Sequence, residues 1–139
     1  MSDTSMGREQ IQERLLRSPF NAFLNLAVQS ADAEKQELVI HLKMRPEFER
    51  VEGSGQWHGG PIAAAIDVTG DYALAMLVGN PIPTINFSVD YLRPASGTLI
   101  LVARVRRRGK TVGVVDVDVL DESGVLLAVG RASYSTVVS

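Results

Sequence analysis

An aspartate set in the middle of an apolar run is the residue of this sequence whose type and place could do chemistry. Asp67 stands in Pro61-Ile-Ala-Ala-Ala-Ile-Asp-Val-Thr, a segment expected to form a buried helix. A carboxylate there is costly unless it is paired, hydrogen-bonded or put to use. On burial alone two readings stand side by side: a working carboxylate, or part of a narrow polar seam facing water or a partner chain. The residues ahead of it bear on the choice. Trp57-His58-Gly59-Gly60-Pro61 puts a glycine pair at the helix start, where free amides and the positive end of the helix dipole are presented. Glycines let a ligand approach that backbone closely. Such amides polarise a carbonyl and hold the charge that develops on its oxygen. Asp67 follows about two turns later, too far along the same helix to serve one reacting centre. Two antiparallel helices from two subunits would bring the groups together, so the site is expected to be shared across a dimer.

Other candidates are weaker. His58 reads either as a cap on the helix or as a group in direct chemistry. His41 points away from the apolar face of its strand and reads as exposed, and two isolated histidines do not make a metal site. Asp71 lies at i+4 from Asp67 on the same helix face. It reads as a group tuning Asp67 by like-charge repulsion, or as a solvated or hydrogen-bonded neighbour. Gly59-Gly60 is no phosphate loop, and Arg108-Gly-Lys-Thr111 lacks both the first glycine of that motif and a helix after it. With no Gly-x-Ser-x-Gly elbow, a serine hydrolase is unsupported.

The elements that must position these residues follow from periodicity. Gly7 to Arg17 reads as an amphipathic helix with Ile11, Leu15 and Leu16 on one face, punctuated by Ser18-Pro19. Phe20 to Leu26 is a short apolar piece of undecided type before a strand at Ala27 to Ala31. Leu38, Ile40, Leu42 and Met44 alternate as a half-buried strand does. A polar loop, Arg45 to Gln56, leads to the long helix, Gly59 to Val78, rich in alanine and apolar nearly all round, hence buried. After Gly79-Asn80-Pro81 only strands remain. Ile85, Phe87, Val89 and Tyr91 alternate with Thr84, Asn86, Ser88 and Asp90. Leu99 to Arg107, Thr111 to Leu120 and Val125 to Val137 follow, joined by turns at Arg108-Gly109-Lys110 and Asp121 to Gly124. One antiparallel sheet wrapped round one central helix satisfies this order, an α+β fold.

Bulk composition agrees with one soluble domain over residues 1–139, with 1–26 as its N-terminal helical segment. The chain has 139 residues, 45% hydrophobic and 22% charged. It has no cysteine, which excludes a disulfide framework, a thiolate nucleophile and a cysteine zinc site. A net charge of −2 argues against nucleic-acid binding through bulk charge. Met1 to Gln10 is polar, unlike a signal peptide. Asp67 and Asp71 interrupt the longest apolar stretch, so no membrane span is expected and the cytoplasm is the default compartment.

On these residues the chain resembles the hotdog-fold acyl-coenzyme A thioesterases. Within them it is closest to the phenylacetic-acid-pathway (PaaI) type and to the 4-hydroxybenzoyl-CoA thioesterase branch that carries its carboxylate on the central helix. The spacing from His58-Gly-Gly to Asp67 carries the resemblance, which covers Ala27 to the C-terminus. Tyr91-Leu-Arg-Pro94, Arg108-Gly-Lys-Thr111 and Gly130-Arg131 support it. The resemblance implies a hotdog fold, thioester hydrolysis and no metal or redox cofactor. It implies that Asp67 is general base or nucleophile, that the Gly59 amide polarises the thioester carbonyl, and that Gly60 supports the turn. His58 matches a polar residue near the thioester, and Thr84 a residue that positions the attacking water. The chain departs from the pattern at Glu52, where several relatives have Asn or Gln; Gln56 is the substitute in the same loop.

The charge map suits such a substrate. Arg93, Arg104, Arg106, Arg107, Arg108 and Lys110 occur with no acid among them, and arginine suits the phosphates of coenzyme A. Arg108 and Lys110 are the first choices, with Arg93; solvation of a strand edge is the alternative. Trp57, Tyr72, Met76 and Phe87 line an aryl or medium-chain acyl pocket or else belong to the core. Water activation and a covalent anhydride at Asp67 both remain open, as do dimer and tetramer. Two other readings stand beside the hydrolase: a hotdog (de)hydratase of 3-hydroxyacyl or enoyl thioesters, and a non-catalytic acyl-CoA-binding module.

Overall fold

The computed structural model describes residues 6–137; residues 1–5 of the expected N-terminal segment and residues 138–139 lie outside the described part. Two short helices come first, α1 (Arg8–Arg17) and α2 (Pro19–Leu24). The undecided Phe20–Leu26 piece is therefore helical as far as Leu24. Ser18 caps it, accepting from the Asn21 amide, and Pro19 sits at the first helical position, where its missing N–H costs nothing. Strands β1 (Ala27–Asp32) and β2 (Glu37–Leu42) form a hairpin, followed by α3 (Gly59–Val78) and then β3 (Thr84–Tyr91), β4 (Leu99–Arg108), β5 (Val112–Leu120) and β6 (Leu126–Ser135). All six strands join one antiparallel sheet in the order β1-β2-β4-β5-β6-β3.

The sheet curls round α3. Leu38, Ile40 and Leu42 of β2, Leu99, Leu101 and Ala103 of β4, and Val115, Val117 and Val119 of β5 supply the concave face. Every second residue of these strands is buried, as period-2 alternation requires. Ile62, Ala65, Ile66, Tyr72 to Leu77 fill the hollow from the helix side. By length and composition α3 could cross a membrane, but most of its apolar surface is packed inside this sheet. His41 is half-buried between its neighbours on β1 and β4 rather than exposed.

One alternative and one expectation are corrected. The arginine-rich β4 is an interior strand, not a sheet edge. Its Arg104 and Arg106 stay solvated because they point to the convex face, where they pair with Glu37, Asp118 and Asp116. The second correction concerns β3. Simple alternation puts Thr84 on the face of Asn86, Ser88 and Asp90. The register with β6 shifts between Thr84 and Asn86, and such a bulge moves one residue across the sheet. Thr84 consequently shares the α3-facing side with Phe87, Val89 and Tyr91.

Candidate active site

The loop before α3 is polar in sequence but anchored by two aromatic rings. Phe48, on a short 3-10 turn (Pro46–Phe48), is fully buried and stacks on Trp57 with ring centroids 5.4 Å apart. Phe23 of α2 meets Phe48 edge-on, and the Arg45 guanidinium lies over both phenyl rings. Trp57 Nε1 donates to the Gly97 carbonyl at 2.8 Å and its amide to Ala95. The Gly-Ser-Gly tip folds round Glu49, whose carboxylate accepts from the amides of Gly53 and Gly55. Both glycines have positive φ, +78° and +68°, which a side chain would resist. The chain thus enters α3 along a fixed path.

That path determines which amides are free at the helix start. The His58 amide donates to the Phe48 carbonyl. The Gly60 amide donates to His58 Nδ1 at 2.9 Å. Pro61 has no N–H, and from Ile62 onward the helical ladder takes over. Of the amides at this helix start, that of Gly59 has no acceptor among the described residues. It opens into a cleft of about 370 Å³ lined by Arg50, Gln56, Trp57, Tyr91, Arg93 and neighbouring apolar side chains. A free amide at a helix N-terminus favours negative charge on an approaching oxygen.

Both glycines are closely packed by side chains. A Cβ on Gly59 would stand 3.1 Å from Cζ and the hydroxyl of Tyr91, and one on Gly60 would stand 3.1 Å from His58 Nδ1. The Tyr91 hydroxyl donates to the Gly59 carbonyl at 2.6 Å. His58, at the N-cap, therefore does what the capping alternative describes; its Nε2 edge is left to face outward, because Nδ1 accepts.

Asp67 lies about 12 Å along the helix from Gly59, eight residues at 1.5 Å each. It is half-buried. Thr84 Oγ1 donates to its Oδ1 at 2.7 Å, the contact that the β3 bulge makes possible. Its backbone carbonyl accepts from the buried Tyr134 hydroxyl at 2.7 Å, and Thr69 bonds back to the Ala65 carbonyl at 2.6 Å. These bonds fix the helix round the carboxylate. Asp71, one turn on, has its carboxyl pushed up to about 7, mainly by burial. The Ile82 amide, donating at 3.0 Å, pulls the other way, and the negative charge of Asp67 adds to the rise.

The sequence candidates therefore fall into three places. Gly59 and Arg93 line the cleft, with His58 and Gly60 beside them at the helix start; Asp67 lies two turns along the helix, where Thr84 reaches it from β3. Arg108 and Lys110 line a separate hollow with Val78 and Thr136, at the opposite end of α3. Gln56 lines the cleft and accepts from the Arg50 guanidinium at 2.9 Å, whereas Glu52 is exposed at the loop tip. Trp57, Tyr72 and Met76 are core residues; Phe87 is exposed on β3. Arg50 and the hydroxyl of Tyr91 went unread in the sequence as site groups. The only signal for Tyr91 was its place in Tyr91-Leu-Arg-Pro94. No group of three or more His, Asp or Glu suited to a metal ion occurs among the described residues.

Comparison with known proteins puts a family beside this geometry. The family described as the thioesterase superfamily matches residues 54–128, from the loop tip into β6. A Halobacterium salinarum protein named as a candidate esterase is 35% identical over 127 residues, with 81% of each chain covered. A crystal structure from the thioesterase superfamily superposes with a TM-score of 0.85 at 36% identity, over 92% of this chain and 96% of the other. A Ralstonia eutropha protein, described as a candidate thioesterase related to phenylacetic acid degradation, gives a TM-score of 0.77 at 26% identity, over 90% and 98% of the two chains.

Proposed function

This chain belongs to the thioesterase superfamily, and from that premise we propose that it hydrolyses an acyl-coenzyme A to free acid and coenzyme A, as a two-fold dimer with Asp67 as the catalytic carboxylate. Hotdog fold and thioester hydrolase chemistry come with the family. The observation that carries the finer reading is the pairing of one free helix-start amide, that of Gly59, with a carboxylate held by Thr84 on the same helix.

The chemistry needs only these groups and water. The Gly59 amide polarises the thioester carbonyl and holds the oxyanion as the tetrahedral intermediate forms. Asp67 takes the proton of a water that attacks that carbon, with the Thr84 hydroxyl orienting carboxylate and water. Collapse of the intermediate expels the coenzyme A thiolate. Attack by Asp67 itself, giving an anhydride, uses the same placement; heavy-oxygen label entering Asp67 in a single turnover would identify that route. No metal or redox cofactor is called for.

The dimer reading rests on distance and on β3. An amide and a carboxylate about 12 Å apart on one helix cannot meet at one carbon. β3 is a sheet edge whose Ile85, Phe87 and Tyr91 are exposed, as is Leu92 just after it, and an edge of that kind invites pairing with another strand. A two-fold axis beside β3 sets two α3 helices antiparallel and turns the Gly59 end of one toward Asp67 of the other. The same operation carries Arg108 and Lys110 toward the opposite cleft, where with Arg50 and Arg93 they suit coenzyme A phosphates. Phe87 and Ile85 on that face fit an aryl or medium-chain acyl group. The compartment in this reading is the cytoplasm.

Thiol release from aryl-, short-, medium- and long-chain acyl-coenzyme A, with Asp67→Asn run alongside, tests the proposal. Turnover by the native protein and loss of at least about 100-fold in the folded variant is expected. Binding without turnover across the panel would refute it.

A further inference from the structure

The Gly59 amide does its work only if the backbone on both sides of Gly59 holds one position, and two successive glycines are the least restrained backbone the chain has. Something must hold them. The helix ladder does not restrain the amide side of Gly59, and Gly60 and Pro61 bring no side-chain hydrogen bond. The groups that touch this backbone are two aromatic side chains. The Tyr91 hydroxyl donates to the Gly59 carbonyl at 2.6 Å. On the other side of the same peptide, the Gly60 amide donates to His58 Nδ1 at 2.9 Å. Tyr91 lies on β3, 32 residues away, so the link ties the edge strand to the helix start. Its ring also closes one wall of the cleft.

We propose that Tyr91 is a positioning residue for the hydrolysis: by bonding the Gly59 carbonyl, its hydroxyl ties β3 to the first residue of α3, and so fixes where Gly59 stands at the cleft and how the Gly59–Gly60 peptide meets the His58 ring. The proposal rests on the thioesterase reading above. Its physical basis is a chain of three groups, Tyr91 O–H to the Gly59 carbonyl, across the peptide to the Gly60 N–H, and on to His58 Nδ1. Each bond polarises the next, so the chain is stronger than its separate members. Because Nδ1 accepts, the neutral His58 ring carries its proton on Nε2, the edge turned outward. Removing the hydroxyl leaves the ring packed on Gly59 but unties the helix start from β3, so that the Gly59 carbonyl is held by the helix alone. The Gly59 amide then spends part of its time off the thioester carbonyl.

A Tyr91→Phe variant makes the test, because it keeps the packing and deletes one oxygen from a half-exposed side chain. The first readout needs no substrate. In protein labelled with ¹⁵N, a through-hydrogen-bond coupling between the Gly60 nitrogen and His58 Nδ1, with slowed exchange of the Gly60 amide proton, reports the chain. The sequence holds only two histidines, so assignment is direct. Coupling in the native protein and its loss in Tyr91→Phe are expected. The second readout is kinetic. With the acyl-coenzyme A that the native protein turns over best, kcat falls about five- to tenfold and KM stays within about twofold, as expected for a contact made more fully in the transition state than in the ground state. A coupling unchanged in the variant overturns the proposal, and so does a lost coupling with unchanged kcat. A native protein silent on every thioester overturns the thioesterase reading instead. The coupling then still decides whether Tyr91 sets the peptide.

Discussion

Replacing Asp71 by asparagine is expected to stabilise the protein, by an amount set by pH. The Asp71 carboxyl is raised from 3.8 to about 7, mainly because burial strips it of water. Three units at 1.36 kcal/mol each give an upper limit of about 4 kcal/mol. The sign follows from linkage. Below about pH 4 the folded and unfolded chains both hold the proton and the group costs nothing. As pH rises toward about 7 the unfolded chain releases the proton while the folded chain retains it, so stability is lost across that window. Above about 7 the loss is complete and constant. Asparagine keeps the shape and an oxygen for the Ile82 amide, which Asp71 accepts at 3.0 Å. Asp71 is half-buried rather than sealed, so screening trims the limit. A gain of about 2–3 kcal/mol at pH 8, or roughly 6–10 °C in the melting midpoint, is expected, shrinking to under about 1 kcal/mol at pH 4. Calorimetric melts of both proteins at pH 4, 5.5 and 8, at one protein concentration, supply the test. An equal gain at all three values would show that the effect is packing and not ionisation, and no gain at pH 8 would show that Asp71 ionises freely.

Two further outcomes follow from contacts already described. Gly70→Ala drives a methyl group into the hydroxyl of Tyr134, which is fully buried and holds the Asp67 carbonyl; denaturant melts are expected to show a loss of about 1–3 kcal/mol, and a neutral substitution would mean that the helix shifts freely beneath that ring. Phe87→Glu places a charge on the exposed face of β3, so sedimentation is expected to show a monomer that no longer releases thiol, whereas an active monomer would remove the need for a partner.

Much of this fold is legible in the sequence because the signals are local. The period-2 run Leu38 to Met44 and the alanine-rich run to Val78 each announce their type within one element, and α3 begins and ends where His58 and Gly79 cap it. Phe20 to Leu26 is not legible, since six helical residues carry too short a period to tell from a strand. Strand order is not local either. The arginines of β4 look like an edge because charge marks any solvated face, and only the pairing with β2 and β5 shows them on the convex side of an interior strand. Thr84 reaches Asp67 through a bulge that alternation does not contain. Within the site, Gly59 and Asp67 stand out by type and spacing. The roles of Phe48, Arg50 and the Tyr91 hydroxyl depend on where a distant strand and loop come to rest.

Mixing two inactive variants tests the shared site most directly. Asp67→Asn removes the carboxylate. Gly59→Pro removes the amide proton at the first helical position, which accepts proline, and His58 before it is already extended, φ −67° and ψ 141°. Each variant alone is expected to release almost no thiol from the best acyl-coenzyme A. Unfolded together and refolded as an equal mixture, half the dimers are mixed, and each mixed dimer holds one site with both groups intact, so about a quarter of native activity returns. Absence of any recovery in a mixture shown to contain mixed dimers would contradict a site built from Gly59 of one subunit and Asp67 of the other.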